Sequence, residues 1–490
     1  MKQSILLFAL LCATTLTQAQ IGIGTSSPNA ASQLEVSSTS KGFLPPRMTA
    51  LQRNAISTPV AGLMVWCNDC GPNGEIQIYN GTEWVNFIGG AKQLTAATTK
   101  IGADIDGEAV DDRSGYSVSI SSDGSTVAIG APANDGAGSN VGQVRVYKNM
   151  AGTWTKIGAD IDGETAGDNS GYSVAISSDG STVAIGASHE LSLSGNLAGQ
   201  VRVYKNIAGT WTKIGADIDG EANVDFSGYS VAISSDGTTV AIGAPYNSGG
   251  GSYAGQVRVY KNMAGTWTKV GLDIDGEAAS DQSGSSVAIS SDGTTVAIGA
   301  PNNDGGGSNA GQVRVYQNIT GTWTKIGADI DGEAASDNSG WSVSISSDGT
   351  TVAIGAPAND GIGSNAGQVR MYKNIAGTWT KIGADIDGEA ASDQSGTSVS
   401  ISSDGTTVAI GALYNDGGGS NAGQVRVYKN IAGTWTKIGV DIDGEAVGDW
   451  SGYSVAISSD GTIVAIGAPY NDGVGVNAGQ VRVYLPRDIL

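Results

Sequence analysis

Ser114-Gly-Tyr-Ser-Val-Ser-Ile120, running on through Ser121-Ser-Asp-Gly-Ser-Thr-Val-Ala-Ile-Gly-Ala131, is the stretch on which the fold turns. Its Ser-Gly-x-Ser-Val core returns at Ser170, Ser227, Ser283, Ser339, Ser395 and Ser451, every 56 residues except for one interval of 57. Seven such units fill 93–484. A period this long, built of short alternating runs, points to propeller blades rather than to a helical solenoid. Tyr116, Val118 and Ile120 fall on one face of a strand and Ser117 and Ser119 on the other. A large face backing a small one suits blades covered on both sides.

Each unit carries four strand signals. In the first unit they are Tyr116–Ile120, Thr126–Ile129, Gln143–Tyr147 and Thr153–Ile157. Asp123-Gly124 joins the first two as a tight hairpin, and the dipeptide recurs in all seven units. The seventh unit stops after Gln480-Val-Arg-Val-Tyr484, one strand short. Thr98-Thr-Lys-Ile-Gly102, ahead of the first unit, matches Trp154-Thr-Lys-Ile-Gly158 and supplies the missing strand. A borrowed strand closes a ring and removes an edge. The expected fold is all-β: a seven-bladed β-propeller of four-stranded blades over 93–490, closed by an N-terminal strand, with a small β-rich module at 20–92.

The unit Ser114–Ile120, then Val127-Ala-Ile-Gly-Ala-Pro132, then Gly142-Gln-Val-Arg-Val-Tyr147 resembles the FG-GAP repeat, the blade of the integrin α-chain propeller and of many bacterial exported propellers. The resemblance implies a binding role, often in adhesion. Three departures stand out. Ser replaces the Phe of the family name in every copy, the Pro of Gly-Ala-Pro is lost at Ser188 and Leu413, and the calcium loop between first and second strands is missing. Ser121–Ser125 is too short to wrap a calcium ion. Ile21-Gly-Ile-Gly-Thr25, Ser38–Arg47 and Tyr79-Asn-Gly-Thr-Glu-Trp84 look like a leader module of exported Bacteroidetes proteins, some of them tail-fibre-like, with anchoring or oligomerisation as its expected job.

Residues 1–19 read as a secretory signal peptide: a short basic start, the apolar run Ile5–Leu16 and small residues before a cut near Ala19. The expected location is secreted or on the outer cell surface of a bacterium. Cys67 and Cys70 are then expected to form a small local disulfide. Asp and Glu number 47 against 26 Lys and Arg, a net charge of -21, which disfavours a nucleic-acid backbone or anionic membrane as partner. A single histidine excludes a multi-His metal site.

The acids have a pattern. Each fourth-to-first connection reads Asp-Ile-Asp-Gly-Glu with a further Asp four residues on: Asp104, Asp106, Glu108 and Asp112 in the first unit, Asp160, Asp162, Glu164 and Asp168 in the second. With the second-to-third loops, most of the acids are expected to crowd one face, with almost no Lys or Arg among those loops. Two readings are open: Ca²⁺ held by these carboxylates, or Asp and Gly shaping turns. Seven near-equivalent copies argue against a catalytic carboxylate pair, which needs two distinct environments, so no enzymatic activity is expected.

Three positions vary between copies, all expected on that same face. After Ser-Gly come Tyr116, Tyr172, Tyr229, Ser285, Trp341, Thr397 and Tyr453; before it, Arg113, Asn169, Phe226, Gln282, Asn338, Gln394 and Trp450. At the second-to-third loop stand Ala133, His189, Tyr246, Asn302, Ala358, Tyr414 and Tyr470. Aromatic side chains on a rim suit binding of protein or sugar, whereas drift between young duplicates would give variation without function. The sequence thus points to an exported binding or adhesion propeller. Its alternatives are a lectin-like or glycan-active propeller and a purely structural surface protein.

Overall fold

The computed structural model describes residues 21–23, 34–36, 44–68, 70, 75–82, 84–86, 98–188 and 198–486. The signal-peptide segment and His189 lie outside the described residues. The chain divides into two compact units, Met1–Thr95 and Ala96–Leu490.

The larger unit is the expected ring. Blade 1 runs Ser117–Ile120, Thr126–Ala131, Gln143–Met150 and Thr153–Lys156, all antiparallel, and a short fifth segment, Ile161–Asp162, pairs back onto the third strand. Blade 7 comprises Ser454–Ile457, Val464–Ala468, Gln480–Leu485 and, from the start of the unit, Thr99–Lys100. The closing strand pairs Tyr484 with Lys100 and Leu485 with Thr99, and the Ile101 amide donates to the Val483 carbonyl at 2.7 Å. The ring is therefore shut by chain from upstream of the first copy.

The core lies between blades. Ala128, Val144, Val146 and Ile161 of blade 1 pack on Val174, Ile176, Val183 and Ile185 of blade 2, and an equivalent layer recurs at each of the seven junctions. Each buried Val or Ile contributes about 1.5–3 kcal/mol. The small strand face lets blades approach closely. The Ser117 hydroxyl donates to the Gly171 carbonyl of the next blade at 2.8 Å, and a Cβ on Gly130 would collide with that same carbonyl. The outer-strand tryptophans are hooks as well as packing: Trp154 Nε1 donates to the Ile101 carbonyl of the preceding blade at 2.7 Å, a bond repeated by every outer Trp. At the closing strand Thr98 stands in place of Trp, and its hydroxyl donates to Val440 O at 3.2 Å.

In the smaller unit, Arg47–Met48, Met64–Cys67, Glu75–Tyr79 and Trp84–Asn86 form one four-stranded sheet beside a short helix, Ala50–Asn54. Ile21–Ile23 pairs in parallel with Leu34–Val36. Cys67 and Cys70 are joined as a disulfide. The Arg53 guanidinium reaches Cys70 Sγ at 3.2 Å and also bonds Gln77 Oε1.

Candidate binding face

Register fixes where the variable positions lie. Ser117 pairs with Gly130, so the start of each first strand and the end of each second strand share one end of the blade. Residues 113, 116 and 133, and their equivalents among the described residues, therefore emerge together, as the sequence reading expects.

The carboxylates at this end are not bare. Lys100, on the outer strand, pairs with Asp104 at 2.8 Å, and the same Lys-to-Asp pair repeats in all seven copies. Glu108 lies 3.5 Å from Arg145 and 3.6 Å from Lys156 of the following blade, again in every copy. Asp106 and Asp162 accept from Gln480 and Gln143 at 3.2 Å. Asp112 and Asp168 are buried, each accepting from backbone amides three and four residues earlier. The loops themselves bring almost no Lys or Arg, as expected, and the bases that meet their acids sit on strands three and four and reach in.

This distribution bears on the calcium reading. The four carboxylates of a loop go to four different donors, and no group of three or more metal-ligating side chains gathers among the described residues. Turn shaping accounts for the bonds of Asp112 and Asp168, and the other carboxylates pair with side chains. Arg145 is the hub of this frame. It is 3% exposed and donates to Ser114 Oγ at 2.9 Å, Asp106 O at 2.8 Å and Tyr147 OH at 3.0 Å, so it staples the incoming loop to the blade it enters.

The lysine amines are raised above their ordinary value by the hydrogen bond to the facing Asp, against burial. At the opposite end, burial works against ionisation of Asp123 in the first hairpin, yet bonds from the Ser121 and Ser125 hydroxyls and the Ser125 amide hold its carboxyl below the ordinary value.

The rings form a continuous band. Tyr453, Tyr116, Tyr172 and Tyr229, on blades 7, 1, 2 and 3, touch in succession at 4.7–5.0 Å around the inner edge. Burial pushes the hydroxyls of Tyr172, Tyr229 and Tyr453 well up, so all stay neutral hydrogen-bonding groups. On one flank Trp450 packs on Tyr470 at 4.3 Å, on Tyr414 at 5.1 Å and stacks at 13° to Tyr453, while the Arg113 guanidinium lies 5.4 Å from the Tyr470 ring. On the other flank Phe226 meets Tyr246 at 5.1 Å, and Tyr246 meets Tyr253 at 5.8 Å. Trp341 stands apart on blade 5, 47% exposed.

Backbone conformation singles out three of these rings. The residue before each Ser-Gly is left-handed, with φ between 51° and 56° in every blade. Asn, which fills it in two blades, tolerates that region; Phe226 and Trp450 are strained there. Tyr253 likewise takes φ 53° where other copies place Asn140, Asn309, Asn365, Asn421 and Asn477. Bulky rings held at such angles carry a backbone cost that Asn does not. Sequence reading missed Tyr253; its replacement of a repeated Asn was the available signal.

A shallow cavity lined by Asp160, Ile161, Asp162, Tyr204 and Trp211 has counterparts on four other blades, with volumes from about 230 to 470 Å³. Because the lining repeats, it is a property of the unit rather than a singular site.

Comparison with known proteins agrees with this architecture. The FG-GAP repeat model matches residues 273–316, 325–372 and 381–428, and a model described as a phage tail like trimerisation region matches residues 22–101. A solved putative 6-phosphogluconolactonase from Bacteroides uniformis is similar in fold, with TM-score 0.50 and 13% identity over 77% of this chain and 94% of that one. A periplasmic gluconolactonase of Pseudomonas aeruginosa aligns with TM-score 0.47 and 14% identity over 76% and 92%. No curated protein matches the chain. Among the described residues no helix is long and apolar enough to cross a membrane. The chain carries FG-GAP repeats, and seven copies of their unit close into a β-propeller.

Proposed function

We propose that this propeller is an exported, non-enzymatic binding protein that acts in adhesion at the bacterial surface or beyond, engaging its ligand through the aromatic end of the ring. The carrying observation is the contiguity of the rings. They come from separate copies of one repeat, yet meet edge to edge across blades 6, 7, 1, 2 and 3. Independent drift gives scattered substitutions, whereas a binding surface requires clustered ones. Residues 22–101 join chains as trimers in this reading, which presents three faces at once and multiplies weak contacts by avidity. The lactonase neighbours lend the fold and no chemistry, since at 13% identity no residue role transfers.

The test is a screen of the full mature chain against arrayed glycans and surface proteins, beside the Trp450→Ala/Tyr470→Ala variant. Loss of the retained signal at an unchanged melting temperature is expected; an undiminished signal overturns the proposal. Sedimentation gives the mass of three chains if the leader trimerises, and of one if it does not.

A further inference from the structure

Blades 4 to 6 fill the same positions with another chemistry. Where the opposite side has four touching tyrosines, this side has Ser285, Trp341 and Thr397. The two short residues leave the indole between them without ring neighbours among the described residues, and Trp341 is the most exposed aromatic of the inner edge, at 47%. The Ser285 and Thr397 hydroxyls donate to the carbonyls of Gln282 and Gln394 at 2.8 and 2.7 Å, which leaves their oxygens free to accept. The flanking positions are amides. Asn338 Nδ2 donates to Pro301 O at 3.1 Å and to Asn302 Oδ1 at 3.4 Å, and the equivalent positions on blades 4 and 6 are Gln282 and Gln394. None of the variable positions on these three blades is charged.

That combination selects a ligand class. The face of an indole attracts slightly positive C–H groups presented as a plane. Amides and hydroxyls both donate and accept, so they are best satisfied by a partner dense in groups that do the same. No fixed charge is present among these positions to offset the desolvation of an ionic ligand, and a chain of net charge -21 repels anions. An apolar peptide side chain would cover the indole but offer nothing to the Gln282 and Gln394 amides or to the Asn338 carbonyl oxygen, at a cost where they are covered. A neutral sugar ring satisfies both requirements, with C–H groups on its face and hydroxyls around its edge.

We infer that Trp341 anchors a subsite for a neutral sugar residue, with the Gln282, Asn338 and Gln394 amides and the Ser285 and Thr397 oxygens reading its hydroxyls. The inference rests on the reading of this end as the binding face and names its ligand class. It is tested with the full mature chain on an array of neutral gluco-, manno-, galacto- and xylo-oligosaccharides, with sialylated and sulfated forms and proline-rich peptides beside them. Retention of neutral glycans is expected, weakened at least tenfold by Trp341→Ala and kept within about threefold by Trp341→Phe, with melting temperatures unchanged. Absence of any neutral glycan among the bound probes overturns it, as does preference for peptides or acidic glycans. If Trp341→Ala leaves glycan binding intact while Trp450→Ala/Tyr470→Ala abolishes it, the subsite is wrong and the binding face stands. If neither variant matters, both fall.

Discussion

Blades 3 and 4 are almost the same object and differ chiefly at one end. Their first, second and fourth strands repeat residue for residue, and their third strands differ only at Lys261 against Gln317 and Met263 against Ile319. Arg258 and Arg314 make the same three bonds, and the Glu221 and Glu277 ion pairs match within 0.1 Å. At the mouth, blade 3 carries Phe226, Tyr229, Tyr246 and Tyr253, whereas blade 4 carries Gln282, Ser285, Asn302 and Asn309. Since the frame folds with either set, those residues are not required to make a blade. What differs between the two is free to serve recognition, and in blade 3 Phe226 and Tyr253 carry a backbone cost.

The comparison breaks first at closure, the one feature that belongs to the frame as a whole. Removing residues 1–101 deletes the strand paired to Tyr484 and Leu485 and bares an edge. Loss of the cooperative thermal transition and aggregation are expected, and a sharp transition at the original temperature would mean that the ring does not depend on the borrowed strand. Next in size, Arg314→Ala leaves Ser283 Oγ, Tyr316 OH and the Asp275 carbonyl without their buried donor and should cost about 3 kcal/mol. Trp341→Ala, at the mouth of the adjacent blade, should stay within about 0.5 kcal/mol. Denaturant midpoints for the pair would show whether frame and face are separable.

A finer cut uses the strained rings. Tyr253→Asn restores the residue that other copies use at this left-handed angle, and should leave stability unchanged or raise it by up to about 1 kcal/mol while weakening ligand retention. A drop in stability instead would make Tyr253 part of the frame. The smallest effect is acidic. The hairpin carboxyls, Asp236 and Asp292 among them, titrate below the ordinary value near 3.8, so the stability they add is complete above that pH and fades as pH falls beneath it. Asp292→Asn should flatten the melting temperature slightly between pH 4 and pH 2, on the order of one to two degrees; an unchanged slope would remove the hairpins from the acid response.

How much was legible in the sequence follows the same division. The period, the four strands, the Asp-Gly hairpins and the borrowed Thr98–Gly102 strand were readable because strand alternation and turn chemistry are local, and seven copies repeat each signal. The ion-pair frame was legible in part: arginines alternating with valines on each third strand, Arg145 among them, call for acidic partners, and Glu108 is one. The lysine part was not: Lys156 and Glu108 stand 48 residues apart and meet across a junction between blades. The Trp154 hook onto Ile101 was hidden for the same reason. The aromatic positions were visible as departures from the repeat, but their contiguity needed the ring: Tyr453 and Tyr116 are neighbours because the last blade meets the first. The left-handed backbone at Phe226 and Trp450 was written faintly, in the Asn and Gln of their counterparts.

Hydrogen–deuterium exchange of the full chain, with and without the glycan or protein retained in the array screen, tests the division between frame and face most directly. Protection is expected over residues 113–116, 246–253 and 450–453, and over 338–341 when the retained probe is a neutral glycan, with none gained along the outer hairpins such as 149–154. Protection confined to those outer hairpins, or spread evenly over all seven blades, would contradict it.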